Sequence, residues 1–139
     1  MLAGAEVIVW PAAAAAVVAF LAAQLPATMG HTGVRVSTKV GTLPHVQVLR
    51  TGGPRGLVRD NAQITIDCRA DDSVTAAALA NDCAALLLAA GRAGVMGPHT
   101  VYEVDAFAGP QNNPDPTTSA ARYSATYTVP FRGTTERGS

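Results

Sequence analysis

The sequence predicts an α+β domain: an antiparallel sheet of about four to five strands with two helices packed on it. Three observations predict it. Apolar and polar residues alternate strictly from Tyr123 to Phe131, small and apolar residues recur at helical spacing after Asp71-Asp72-Ser73, and turn residues cut the middle of the chain into short alternating segments. At 139 residues there is room for one domain, placed over 1–132, and no second comfortable one.

Residues 7–10 are apolar and extended in character, because Trp10 precedes Pro11 and is biased away from the helical region. A helix is predicted over 11–25, stopping before Pro26. Trp10, Ala14, Val17, Val18, Leu21 and Leu25 share one stripe, and Ala12, Ala15, Ala16, Ala19, Ala22 and Ala23 form a small-residue back. The uncharged run from Val7 to Leu25 has the look of a signal peptide or membrane span. The lack of a basic segment before it, Glu6 at its start and Pro11 at a helix N1 position oppose that reading.

Three strands follow. The first is predicted around Val34, Val36 and Val40, the second from Val46 and Val48 toward Thr51, and the third through Ile64, Ile66 and Cys68. Turn-rich connections make them an antiparallel meander, with Gly52-Gly53-Pro54-Arg55-Gly56 as a hairpin tip. Asp71-Asp72-Ser73 caps a second helix reaching about Ala90, with Gly91 placed to end it. Its core stripe is Ala76, Leu79, Cys83, Leu86, Leu87 and Ala90, and its other side, Val74, Ala78, Asn81, Ala85 and Leu88, is unusually apolar.

A fourth strand begins at Val101, Tyr102 and Val104 and ends near Gly109. The segment 109–118, with Pro114 and Pro116 bracketing Asp115, is expected to be a rigid loop that delivers the final strand. Residues 133–139 carry no apolar anchor and are expected to be a disordered tail.

The chain is 48% hydrophobic but only 14% charged, against about 25% in an ordinary soluble domain. Either alanine bias explains this, or part of the surface is covered by copies of the chain. Ten basic and ten acidic residues leave no net charge, which argues against a protein built to wrap nucleic acid. Cys68 and Cys83 fall on the apolar side of their elements, as buried reduced thiols do.

Catalytic patterns are hard to find. The glycine-rich tip lacks the lysine and hydroxyl residue of a phosphate loop and leads into a strand. His31, His45 and His99 are scattered, with no metal-ligand spacing, so no cofactor or metal is expected. Asp71 and Asp72 are read as helix capping and Asp115 as turn chemistry. Arg50, Arg55 and Arg59 form a local cationic group, either a contact for acidic groups or the lining of a passage, or else solvated edge arginines.

Val7-Ile8-Val9-Trp10-Pro11, the segment Val46 to Arg55 with its Arg-Thr-Gly-Gly-Pro-Arg ending, Gly109-Pro110, Pro114-Asp115-Pro116 and Arg122-Tyr123 occur in an order and spacing that resembles the tail terminator, or tail completion, proteins of long-tailed bacteriophages. The resemblance runs to about Arg132. It implies a non-enzymatic virion protein, assembled in the host cytoplasm, that forms a ring, commonly a hexamer. Such a ring caps the head-proximal end of the tail tube, stops tube polymerisation and docks the head-tail connector or stopper. Genomic DNA passes through its lumen without sequence-specific binding, and no membrane is involved. On that reading Arg50, Arg55 and Arg59 are candidates to face the tube or lumen, and Pro114, Asp115 and Pro116 to meet a neighbour. The rivals are another neck component (stopper or head-tail adaptor), an exported small binding domain, and an enzyme whose site the sequence does not advertise.

Overall fold

The alternating segments pair into one central sheet in a computed structural model that describes residues 6–135. In chain order the elements are β1 (Ile8–Val9), α1 (Ala13–Met29), β2 (Arg35–Ser37), β3 (His45–Gly52), β4 (Arg59–Ala70), α2 (Ser73–Ala93), β5 (Val95–Met96), β6 (His99–Thr100), β7 (Asp105–Asn112), β8 (Ala121–Arg132) and β9 (Thr134–Thr135). The fold is α+β. A five-stranded sheet runs β2-β3-β4-β8-β7, with small pairs β1-β9 and β5-β6 beside it.

β4 and β8 form the spine, antiparallel and in register from Arg59 opposite Arg132 to Ala70 opposite Ala121. A period of two sends every second side chain to one face, and the register aligns these into rungs: Val46, Cys68 and Tyr123, then Val48, Ile66 and Ala125, with Ala62 beside Val129. Both helices cover that face, α1 over β2 and β3, α2 over β4, β8 and β7. Val17, Leu21 and Leu25 of α1 meet Leu79, Cys83 and Leu87 of α2 and the strand rungs in one buried core. The opposite face is polar, carrying Gln47, Gln63, Thr65, Ser124, Thr126 and Thr128, with the Thr65 and Thr126 hydroxyls bonded at 3.0 Å.

The first helix runs past its expected stop. Pro26 lies inside α1, which continues to Met29 and closes on Gly30 with φ at 74°. Leu21 and Leu25 are completely buried, and that packing outweighs the bias a proline places on the residue before it. The second helix also overruns, to Ala93, with Gly94 in the left-handed cap. Gly91 instead packs against the chain at Val104, where a Cβ would sit 2.5 Å from the backbone nitrogen. At its start Asp72 is the N-cap, accepting from the Thr75 N–H at 2.8 Å. By length and composition α2 is apolar enough to cross a membrane, but here Leu79, Cys83, Leu86 and Leu87 are buried in the core.

Three strand expectations change. β2 runs parallel to β3, with Arg35 beside His45, so the sheet is mixed and not an antiparallel meander. Seven residues suffice for the return because β2 is only three residues long. The fourth strand shifts: β7 starts at Asp105 and includes Gly109, Pro110, Gln111 and Asn112, where the sequence predicts loop. Proline is tolerated because β7 is an edge strand whose register slips between Ala108 and Gln111. The expected tail is ordered at its start, since Thr134 and Thr135 pair with Val9 and Ile8; residues 136–139 lie outside the described residues.

Candidate functional site

The six candidate residues fall into two groups at opposite ends of β4. Arg59 and Arg69 are ten residues apart on that strand, a span of roughly 33 Å. They do not form one site.

At the first end, the β3–β4 hairpin closes through Asn61 N–H to Pro54 O at 3.0 Å and Gly56 N–H to Arg59 O at 2.8 Å. Gly53 is required there, because a Cβ would collide with the Asn61 carbonyl and its φ is +97°. Arg50 is not a free cation. Its Nη1 and Nη2 donate to Asp60 Oδ2 and Oδ1 at 2.6 and 2.7 Å, and it also bonds the Gly52 and Gly53 carbonyls. Asp60 is fully buried, and these bonds hold its carboxyl below the ordinary range although burial pushes the other way. Arg55 approaches the same carboxylate at 3.3 Å and lies 5.0 Å over the Trp10 ring. Arg59 stacks 3.9 Å over Tyr102.

The group therefore has three cations and one buried anion, leaving Arg55 and Arg59 as its outward charges. Trp10 is itself fixed, its Nε1–H donating to Val58 O at 2.7 Å. Asp60 was not singled out from the sequence, yet a signal was present. It shares parity with Ala62, Ile64, Ile66 and Cys68, and a carboxylate on a core-facing row requires a partner.

At the second end, Asp115 is buried between the exposed Pro114 and Pro116. Its Oδ1 accepts from the Thr117 N–H at 2.9 Å and its Oδ2 from Arg69 Nε at 3.0 Å. The Thr117 N–H first, then the Arg69 guanidinium, draw its carboxyl down to about 2 against the cost of burial. Arg69 also donates to Gln47 Oε1 at 2.8 Å, so the loop is tied to the polar face of the sheet. Arg69 was missed because nothing in the sequence places it next to a loop 46 residues away. Asp115 thus acts as turn chemistry, as expected, and as an anchor, leaving the two prolines as the outward surface.

A third feature involves the small back of α1, which faces Leu86, Ala89, Ala90 and Ala93 of α2 and not the apolar side Val74, Ala78, Asn81, Ala85 and Leu88. An open groove of about 830 Å³ runs between α1 and α2, lined by Ala15, Ala19, Phe20, Ala89, Ala93 and Met96 among others. Among the described residues no Asp, Glu, Lys or Arg lines it.

The three histidines do not converge, and only His99 borders the groove. His31 bonds Asp82 at 2.5 Å, His99 packs edge-on to Phe131, and His45 is buried at the start of β3. Among the described residues no three His, Cys, Asp or Glu side chains gather as a metal would need. Cys68 and Cys83 are free and buried, and the Cys83 thiol together with burial pushes Cys68 well above the ordinary thiol range, the opposite of an activated nucleophile. The chain matches no protein-family model and no curated protein.

Proposed function

We propose that this chain is a tail-terminator subunit, forming a closed ring that caps the head-proximal end of a phage tail tube, ends tube polymerisation and joins the tail to the neck. The observation that carries the reading is the uncharged groove between α1 and the C-terminal half of α2. A chain with 14% charged residues leaves this surface bare, and open apolar surface of this kind marks an interface. Two open sheet edges, β2 and β7, offer a neighbour further contact, and ring closure removes them from solvent.

The separation of the two candidate groups supports the same reading. A terminator has two partners, tube and neck, and this subunit has two built ends roughly 33 Å apart. The stiff Pro114–Pro116 turn suits protein contact. Arg55 and Arg59 suit a wall that DNA passes, being few and held by aromatic rings; Arg50 is engaged with Asp60 and has no part in it.

Light scattering and negative-stain imaging of the purified chain, alone and mixed with tail tubes, test the proposal. Six-fold rings seated at one tube end are expected. Bare tube ends in the presence of excess chain overturn it, and a ring that binds the neck but not the tube reassigns the chain to a stopper or adaptor. The lumen role has its own test: Arg55→Glu with Arg59→Glu should impair tail joining in a folded protein, and full-length infectious particles from that variant would refute it.

A further inference from the structure

The loop 38–44 carries the chain from β2 back to the start of β3, and between it and the strands lies a second cleft, of about 420 Å³. Its chemistry is unlike that of the helix groove. Arg35, Lys39, Ser37, Thr42 and His45 line it, with Val40 as its apolar wall. Two cations and two hydroxyls converge there, and among the described residues neither Arg35 nor Lys39 has a carboxylate within 4.0 Å. Arg50 and Arg55, by contrast, meet Asp60, and Arg69 meets Asp115 and Asp67.

The floor of the cleft is built, not incidental. His45 is completely buried, and its Nε2 lies 2.8 Å from Ser37 Oγ, whose hydroxyl reaches the Lys39 carbonyl at 2.5 Å. With the serine proton on that carbonyl, the imidazole donates through Nε2 and its Nδ1 is left buried without a partner among the described residues. An orphaned ring nitrogen in a core is costly, and it is retained where its ring fixes the hydroxyl that faces the cleft.

We infer that the β2–β3 cleft binds a phosphate monoester, with Arg35 and Lys39 pairing the dianion, the Thr42 hydroxyl donating to its oxygens, Ser37 holding the Lys39 backbone in place, and Val40 packing against the organic part. Arginine supplies a planar fork and lysine a point charge, a combination that suits a tetrahedral oxyanion with several acceptor oxygens. The volume exceeds what a bare phosphate fills and lies within the range of small-molecule pockets. The site goes beyond the ring proposal: Arg35 and Ser37 belong to β2, an edge that ring closure would cover, so its ligand binds the unassembled chain.

The test is titration of the full-length, isotopically labelled chain with inorganic phosphate, with glycerol phosphate, and with a single-stranded oligonucleotide lacking terminal phosphates, at constant ionic strength. Saturable shifts of the residue 37–42 amides are expected, with glycerol phosphate binding more tightly than phosphate. Arg35→Ala with Lys39→Ala, both exposed positions that leave the core intact, should weaken binding by about tenfold or more, and Arg92→Ala should not. Equal shifts from chloride, or unchanged binding by the double variant, overturn the site. Tighter binding of the oligonucleotide at the same amides overturns the monoester assignment.

Discussion

Arg50 grips Asp60 with two guanidinium nitrogens, at 2.6 and 2.7 Å, and the carboxylate it holds is closed to solvent. The pair sits at the end of a core-facing row, directly after Ala62, and the β3–β4 hairpin folds around it. Removing one partner strands the other. Arg50→Ala should lower stability by roughly 3 kcal/mol, and Arg50→Met with Asp60→Leu should recover much of that loss. Urea midpoints of the wild type, the single and the double variant form the cycle that checks it. A single variant as stable as the wild type would show the pair to be idle.

Acid should weaken the fold in two stages. Burial, with Arg69 nearby, lowers His45 from its ordinary 6.5, so below that pH the unfolded chain takes up a proton that the fold refuses. Stability therefore falls as pH drops from about 6.5 until the folded imidazole protonates, by at most about 1.4 kcal/mol per pH unit for one proton. Asp60 and Asp115 are shifted down from 3.8, so their contribution is present above 3.8 and is lost as the pH falls through their folded values, about 2 for Asp115. Denaturant titrations across pH 7.5 to 2.5, as an approximate window, should show both declines, and His45→Gln should abolish the first alone.

Tyr127 buries its ring completely, but among the described residues its hydroxyl has no hydrogen-bond partner. A phenol in that position contributes packing and loses hydration. Tyr127→Phe should be neutral or stabilising by up to about 1 kcal/mol, read from the thermal midpoint. A marked loss would reveal a partner for the hydroxyl.

Gly91 offers the opposite case, a substitution that helix propensity favours and packing forbids. Alanine gains about 1 kcal/mol over glycine in a helix interior, but its Cβ would press into the Val104 backbone and side chain. Gly91→Ala should lower stability by roughly 1–3 kcal/mol net, as overpacking does, measured by thermal or urea unfolding.

Much of the frame was legible in the residues. The alternation of Tyr123, Ala125, Tyr127, Val129 and Phe131 stated both the strand and its buried side, and the spacing of Leu79, Cys83, Leu86 and Leu87 stated the helix face that meets it. What stayed hidden depended on contacts between distant segments. Pro26 carries the local signal of a stop, which Leu25 locked in the core overrides, and Gly91 carries that of a cap, where the fold instead sets Val104 against it. A three-residue strand such as β2 has too little pattern to declare its direction. The candidate site was legible as a set of residues and not as an arrangement: Arg50, Arg55 and Arg59 are close in sequence, but only the fold supplies Asp60, Trp10 and Tyr102 as the groups that bind them.

The pairing of Ile8 with Thr135 has a practical corollary. Both ends of the described chain leave the molecule from one place, beside Gly133, whose missing side chain lets Ile8 and Trp10 lie against it. A label fused to either end therefore probes the same patch of surface. An assembly that covers that patch hides both labels together, and one that leaves it bare displays both, so two tagged versions report on a single point of the assembled particle.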